Sequence, residues 1–291
     1  MRLTIYPMTI REQIGRLDEP SFFDKLAAGQ DLTVPSDSPD VRGYIALALQ
    51  SGFPFAALQL SGQARQDWLE SYIDDLLTHD IEQLEERKRD RERLRRYFEA
   101  YALNSAGVTD HKSIYEKAGV SKATATAYDD LLTGLLIIEQ VPAWTSNRLK
   151  RLQKQPKRYL IDPALIAAAL RMNEQGVLRD GDLLGRVLDT FVAAQLRPEL
   201  RVSETRPRLY HLRQDKGEHE VDLLVELGGE RLIGLEIKAT AAPKYIDAKH
   251  LIWLRNELND RFIAGVVFHT GPRLFMLDDK IIAAPISVLW G

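Results

Sequence analysis

Apolar residues recur at helical intervals along the first eighty positions. Four of them fall near one face of the stretch "GQARQDWLESYIDDLLTHDIEQL" at steps of about one helical turn: Trp68, Tyr72, Leu76 and Ile81. Shorter helices are predicted for "PSFFDKLAAGQ" and "VRGYIALALQSG", which glycines close, after a short N-terminal strand. The pattern of residues 1–80 predicts helical packing and no catalytic centre.

The middle of the chain, residues 81–163, begins with a mixed-charge helix and continues with two short helices joined by a tight turn. The first, "TDHKSIYEKAG", is closed by Gly119, and Ser121 can cap the second, "KATATAYDDLLTGL". Two strand-like stretches follow, "LLIIEQVPAW" and "YLID". This order predicts a winged helix-turn-helix domain.

The segment between those two stretches carries basic residues without an acidic one, and would form the wing. An uncompensated basic cluster suits phosphate oxygens, because neutralising them releases counterions from nucleic acid. The candidate nucleic-acid contacts are Lys122 of the second helix and Arg148, Lys150, Arg151, Lys154, Lys157 and Arg158. Asp129 and Asp130 disfavour base reading by that helix, and a winged helix that only packs against protein is the alternative.

Residues 164–291 alternate the two kinds of element and predict an α/β domain. Helices are expected at "PALIAAALRM", "DLLGRVLDTFVAAQL" and "YIDAKHLIWLRNEL". Strands are expected at "RLYHLRQ", "HEVDLLVEL", "RLIGLEIKAT", "FIAGVVFHT" and "ISVLW". The core order from the long helix onward is α-β-β-β-α-β.

Two of these strands surround a Gly-Gly turn and carry charges where a buried hairpin needs none. Alternation places Asp222 on one face of the first strand, and Glu236 and Lys238 on one face of the second. Two converging carboxylates repel each other unless a cation lies between them. Oxygen ligands without a nearby His or Cys favour Mg²⁺ or Mn²⁺. The alternative is a solvated sheet face, which fits poorly with the apolar run "LIGLEI".

Composition narrows the classes of function. The chain has 291 residues, of which 45% are hydrophobic and 28% charged, and it contains no cysteine. Thiol chemistry and disulfides are therefore excluded, which fits a cytoplasmic protein. Neither a signal-peptide core nor an apolar run of membrane-spanning length is visible, so no membrane partner is expected. Residues 81–163 are net basic and residues 1–80 net acidic, which hints at an anionic partner for the middle segment.

The motif "EVD…EIK", with an acidic residue in the helix upstream, resembles the PD-(D/E)XK nuclease superfamily. The wider pattern is similar to the uncharacterised nuclease-like C-terminal region that follows an AAA-type ATPase module in bacterial and archaeal proteins. It runs from about Gly52, through "SGFP", "KQPKRYLID" and "GLEIKAT", to the end of the chain.

The resemblance implies a set of catalytic residues. Asp222 and Glu236 would be metal ligands and Lys238 the catalytic lysine. Asp189 falls where such families usually carry a helical Glu, and Glu220 could substitute for it as the acidic partner.

One part of the family pattern is absent. The sequence contains no G-x-x-x-x-G-K-[ST] phosphate loop, so ATP hydrolysis is not expected. The chain resembles the C-terminal part of such an ATPase, with residues 1–80 as a lid-like remnant.

These features predict a DNA-associated protein with a winged helix and a Mg²⁺-dependent nuclease-like domain. The alternative is a catalytically silent adaptor that binds a protein partner or regulates an ATPase module. A third possibility is a winged-helix transcription regulator. Its second helix would have to read DNA bases, which Asp129 and Asp130 disfavour.

Overall fold

The computed structural model describes residues 4–79, 89–146, 154–214 and 218–291. The chain forms two compact units. Residues up to Tyr44, 141–156 and 192–291 make one, called here the sheet unit, and residues 45–140 and 157–191 make the other, the helical unit. This division differs from the three segments predicted above. The described residues up to Tyr44 group with the C-terminal sheet, and so do residues 141–146 and 154–156, which lie between strands of the helical unit in the sequence.

The described helices are, in chain order, α1 (Ile10–Gln13), α2 (Phe22–Ala27), α3 (Val41–Gln50), α4 (Pro54–Gln59), α5 (Gly62–His79), α6 (Arg89–Ala102), α7 (His111–Ala118), α8 (Lys122–Gly134), α9 (Ala164–Ala169), α10 (Glu174–Arg179), α11 (Gly181–Val202) and α12 (Lys249–Leu258). None of the helices in the described ranges is both long and apolar enough to cross a lipid bilayer.

The helical unit contains the two predicted helices of the turn motif. Gly119 ends α7 with a left-handed backbone, at φ 68° and ψ 35°, a conformation that suits glycine. The side chain of Ser121 caps α8 by accepting a hydrogen bond from the amide of Thr124. The strands β1 (Ile138–Val141) and β2 (Lys157–Leu160) then form a two-stranded sheet. The elements predicted here are present, and the winged-helix assignment itself stays a prediction.

The sheet unit is built on six strands in the order β3-β4-β5-β6-β8-β7. Their bounds are β3 (Arg208–Arg213), β4 (Glu220–Glu226), β5 (Leu232–Ile237), β6 (Phe262–His269), β7 (Phe275–Asp278) and β8 (Ile281–Pro285). The first three strands pair antiparallel, and β5, β6 and β8 run parallel. This is the mixed α/β architecture that the alternating pattern predicts; the nuclease fold stays a prediction.

The predicted hairpin between β4 and β5 is confirmed. It turns at Gly228–Glu230, where Gly229 takes a positive φ of 75° that favours glycine. Leu223 lies opposite Leu235 in this pair, so the next residues along the two strands are Asp222 and Glu236.

The end of the chain differs from the prediction in two ways. Strands β7 and β8 were not predicted, because "FMLD" and "IIAAP" are short and do not alternate. The predicted strand "ISVLW" is instead a 3-10 turn at Ile286–Leu289 that follows β8. Pro285 removes a backbone donor where the ladder would continue, so the chain leaves the sheet there.

The N-terminal residues are integrated into the sheet unit by named contacts. The amide of Ile10 donates to the side-chain oxygen of Gln195 at 2.7 Å, and the amide of Phe22 donates to Glu199 at 2.6 Å. The ring of Phe22 lies 5.5 Å from that of Phe268 in β6. The described residues up to Tyr44 therefore form part of the packing around this sheet.

Helix α12 packs directly on one face of the sheet because Gly234 has no side chain. A methyl group added at Gly234 would lie 2.6 Å from Cδ2 of Leu251 and 3.4 Å from Cδ2 of Leu254. Both leucines are fully or nearly fully buried. The same face carries Leu224, which lies opposite Gly234. The glycine thus fixes how closely the helix approaches the strands.

Candidate functional site

The three residues of the charged hairpin come together at one end of β4 and β5. Asp222 lies in β4, Glu236 in β5, and Lys238 directly after β5. Because Leu223 faces Leu235, the side chains of Asp222 and Glu236 share the face that α12 covers. The predicted convergence of these three residues is observed.

Hydrogen bonds fix this cluster. Lys238 Nζ donates to Glu236 Oε2 at 2.9 Å, and the amide of Ile237 donates to Asp222 Oδ2 at 3.0 Å. The side chain of Glu236 is only 3% exposed, whereas that of Lys238 is 32% exposed. A nearly buried carboxylate thus contacts a cation that reaches solvent.

The electrostatic surroundings keep Lys238 charged. Burial lowers the pKa of Lys238, but the carboxylates of Glu236 and Asp222 outweigh this effect, and its net pKa is raised. Asp247 acts in the same direction from the 3-10 turn Tyr245–Ala248. Lys238 is therefore an ammonium group at neutral pH and can stabilise negative charge.

Two histidines lie in this neighbourhood, which the sequence reasoning missed. The Nδ1 atoms of His219 and His250 are 3.5 Å apart, and His219 stacks on Trp253 with ring centroids 4.0 Å apart. Burial lowers the pKa of His250, and the charges of Lys249 and Lys238 lower it further. The expectation that no His lies near the carboxylates is therefore wrong.

A local signal could have located only one of the two histidines. His219 immediately precedes the strand that carries Asp222, and His250 lies in the first turn of α12. Only the close packing of α12 on Gly234 brings these distant positions together. The helix was predicted correctly, but its placement over the carboxylates was not.

The carboxylate oxygens of the cluster suit a hard divalent cation whose remaining ligands come from water or a substrate. The cluster contains two carboxylates, each of which accepts a hydrogen bond within the chain, and Mg²⁺ is commonly bound by one or two carboxylates together with waters and substrate phosphates. Among the residues that the structure describes, no three His, Asp or Glu side chains form a group that could hold a metal ion. Asp222 and Glu236 would thus supply only part of a coordination shell.

Asp189 takes part in a buried ion pair within the helical unit. Its carboxylate accepts from Lys157 Nζ at 2.6 Å and from the hydroxyl of Tyr159 at 2.8 Å. The side chains of Lys157 and Asp189 are 3% and 11% exposed. These contacts engage Asp189 within the helical unit and give no support to its predicted catalytic role.

Glu220, the suggested substitute, is engaged elsewhere. It lies on the same strand as Asp222, 3.8 Å from the guanidinium of Arg213, and its side chain is 41% exposed. It is a solvated ion-pair partner at the start of β4.

The predicted basic cluster divides into buried, exposed and undescribed residues. Lys157 and Arg158 are 2% and 4% exposed, and Arg158 donates to the carbonyl of Thr109 at 2.7 Å. Both belong to β2, and their burial gives no support to the predicted phosphate contacts. Lys122 is exposed, and Lys154 is partly exposed and donates to the carbonyl of Arg213 at 3.3 Å. Arg148, Lys150 and Arg151 lie outside the described residues.

Asp129 was expected to weaken DNA binding by the second helix, but it faces the protein interior. It is 9% exposed, accepts from the hydroxyl of Tyr97 at 2.6 Å, and lies 3.2 Å from Nε2 of His111. Burial raises the pKa of Asp129, which the hydrogen bond from Tyr97 opposes. The argument against nucleic-acid docking of α8 is therefore left with Asp130 alone, which is exposed.

Two protein-family models match the chain. Residues 41–176 match a domain of unknown function (DUF8612), and residues 184–289 match a second domain of unknown function (DUF4143). The second match contains the whole six-stranded sheet and the cluster around Glu236.

Curated relatives are also found. The uncharacterized proteins Rv2008c of Mycobacterium tuberculosis and Mb2031c of Mycobacterium bovis are each 29% identical to this chain over 240 residues. The matched region covers 82% of this chain and 52% of each relative, so the chain spans about half the length of the relatives it matches. The comparison with solved structures gives no match.

Proposed function

We propose that the sheet unit hydrolyses phosphodiester bonds of DNA with the help of Mg²⁺ or Mn²⁺. One observation carries this proposal: the carboxylates of Asp222 and Glu236 lie on neighbouring strands, and both act on the ammonium of Lys238. Such a set of groups suits a substrate that is itself negatively charged and needs a cation for binding.

Each side chain has a distinct part in this proposal. Asp222 and Glu236 would hold the metal ion, which supplies Lewis-acid activation of a phosphate oxygen. Lys238 would stabilise the negative charge that develops on the phosphate as a water oxygen bonds to phosphorus and the bond to the leaving sugar oxygen breaks. The partial exposure of Lys238 supports this role, because its ammonium can reach a bound substrate.

Substitution of the three residues tests the proposal by separating metal affinity from cleavage. Asp222→Ala and Glu236→Ala should lose both Mn²⁺ binding and Mg²⁺-dependent cleavage, because each removes a ligand. Lys238→Ala should retain most Mn²⁺ binding and cleave about a hundredfold more slowly, the loss typical of an electrostatic stabiliser. Calorimetric titration and a gel assay on single-stranded, duplex and branched DNA measure the two quantities.

Glu220→Gln is the matched control, since Glu220 shares β4 with Asp222 but pairs with Arg213. It should bind Mn²⁺ and cleave like the wild type. Equal Mn²⁺ binding by the wild type and both carboxylate variants, without cleavage by any of them, would refute the proposal.

A catalytically silent adaptor is the second candidate function. The close contact of Lys238 with Glu236 favours it, because the buried carboxylate already has a cation within the chain. In this case the cluster would stabilise the end of β5, and the unit would bind a protein partner or an ATPase module. Lys238→Met should then lower the free energy of unfolding, and the wild type should show no Mn²⁺-dependent stabilisation.

A further inference from the structure

An exposed aromatic ring lies beside the candidate site of the sheet unit. In the 3-10 turn Tyr245–Ala248, Tyr245 is 60% and Ile246 63% exposed. The turn leads directly into α12, which packs on β5 at Gly234, on the face that carries Glu236. The exposed ring therefore stands at the start of the helix that covers the carboxylate cluster.

Three exposed cations lie in or near this part of the sheet unit. Lys244 and Lys249 stand on either side of the turn, and Arg273 lies in the loop between β6 and β7. In the described parts of the chain, no carboxylate forms an ion pair with any of the three. We call Lys244, Tyr245, Lys249 and Arg273 the basic-aromatic strip.

The loop that carries Arg273 is held firmly against the loop after β5. The amide of Thr270 donates to the carbonyl of Thr240 at 3.0 Å, and the amide of Gly271 donates to Nδ1 of His269 at 3.0 Å. A methyl group at Gly271 would lie 1.9 Å from the carbonyl oxygen of Ala241, so only glycine allows this approach. Strands β5 and β6 run parallel, and ligands of open α/β sheets bind at the carboxyl ends of such strands.

The positive charges and the exposed ring of the basic-aromatic strip indicate which class of molecule can bind there. An apolar protein surface would bury three cations without counter-charges, which costs free energy. A polyanion neutralises them instead. The carboxylate that lies in this turn, Asp247, already accepts a hydrogen bond from the amide of Lys244 at 2.7 Å. An exposed Tyr ring adds a flat apolar face, and nucleic-acid bases offer a matching face only when they are not stacked inside a duplex.

We propose that the basic-aromatic strip binds single-stranded nucleic acid, with a base stacked on Tyr245 and phosphates contacted by Lys244, Lys249 and Arg273. This inference rests on the proposed function in one respect, since the bound strand would be the substrate of the neighbouring carboxylate cluster.

Binding measured in EDTA tests the strip without any contribution from metal or cleavage. The probes are fluorescein-labelled dT20, an abasic strand of the same length, and a dT20·dA20 duplex, each titrated with full-length protein and read by anisotropy. The wild type should bind dT20 about tenfold more tightly than the abasic strand, because only dT20 can stack. Tyr245→Ala should abolish this preference, and Tyr245→Trp should keep it.

The cationic residues have a different expected signature. Lys244→Ala, Lys249→Ala and Arg273→Ala should weaken binding of dT20 and of the abasic strand equally, and should flatten the salt dependence of both. Phe55→Ala and Lys112→Ala serve as controls, because Phe55 is 52% exposed and the side chain of Lys112 is 62% exposed in the helical unit. Both should bind like the wild type.

The failures of the two proposals are distinguishable. Equal affinity of the wild type for dT20 and the abasic strand, or a Tyr245→Ala variant that keeps the preference, would overturn the strip whether or not the protein cleaves DNA. If the protein prefers dT20 to the abasic strand, this preference depends on Tyr245, and no metal-dependent cleavage occurs, the proposed binding by the basic-aromatic strip is supported and the proposed nuclease activity is refuted.

Discussion

At the scale of single residues, charge has two different uses in this protein. Lys238 is a partly exposed cation beside two carboxylates, whereas Lys157 is a buried cation bound to Asp189 and close to Tyr159. The first arrangement can respond to a ligand. The second is enclosed, and removing one partner would leave the other as an uncompensated buried charge.

We expect Asp189→Ala to destabilise the protein without affecting metal binding. It should lower the free energy of unfolding by about 3–5 kcal/mol, because Lys157 would remain buried without its carboxylate. Asp182→Ala is the matched control, since Asp182 lies in the same helix in an exposed pair with Arg186 and should cost under about 1 kcal/mol. Urea denaturation and Mn²⁺ titration provide the measurements. Unchanged stability combined with weaker Mn²⁺ binding would restore a catalytic role for Asp189.

The sequence pattern predicts the local geometry of a strand or turn more reliably than it predicts which side chains are buried. Strand alternation and the Gly-Gly turn were enough to predict that Asp222, Glu236 and Lys238 lie together, because a tight hairpin fixes the register of its two strands. They could not reveal that Lys157 is buried, since a basic residue at a loop boundary has the same local pattern whether it faces water or a distant carboxylate. That distinction depends on the packing of α11 against β2.

At the scale of elements, the approach of α12 to the sheet depends on the absence of a side chain at Gly234. Leu251 occupies the space where a side chain would lie. The helix in turn holds His250 near the charged hairpin. The geometry of the candidate site is therefore set partly by apolar packing on the middle of β5.

Gly234→Val should lower the free energy of unfolding by about 1–3 kcal/mol, because the added methyl groups would overlap Leu251 and push α12 outward. Adding Leu251→Ala should recover part of this loss by vacating the space. Gly228→Ala is the control, since no atom lies within 4 Å of its added methyl group. Urea denaturation measures all three, and a Gly234→Val variant as stable as the wild type would contradict the packing argument.

Long and strongly patterned elements were predictable, and short terminal ones were not. Helices α7 and α8 carry their own boundary signals in Gly119 and Ser121. Strand β7 has four residues and exists because β8 offers it an edge, which the local sequence does not encode. The boundary between the units escaped prediction for the same reason, because the contacts that define it are long-range.

At the scale of the whole molecule, Glu199 connects the N-terminal residues to α11. Its carboxylate accepts from the amide of Phe22 and pairs with Arg11 at 3.2 Å. Burial raises the pKa of Glu199 to about 6, despite opposing contributions from Phe22 and Arg11. The folded protein therefore binds a proton here that the unfolded chain releases at lower pH.

This proton makes stability depend on pH in a defined direction. The stabilisation due to the raised pKa of Glu199 is fully present below the unfolded pKa near 4.5 and is lost as pH rises through about 6. Glu199→Gln stays uncharged, so its free energy of unfolding should gain about 2 kcal/mol relative to the wild type between pH 4.5 and 7. Urea midpoints across this range measure the difference. A difference that does not change with pH would contradict the raised pKa.

The sheet unit is assembled from three separated parts of the chain, and this has a consequence for synthesis on the ribosome. Residues up to Tyr44 emerge before the rest of this sequence, but the strands β6 and β8 that complete their unit lie beyond residue 260. At about 5–20 residues per second, the early segment waits on the order of tens of seconds for its partners. The helical unit is complete by residue 191 and can fold during that interval. We therefore expect a ribosome-associated chaperone to shield the apolar side chains of this early segment, Phe22 and Phe23 among them, until its partners are synthesised.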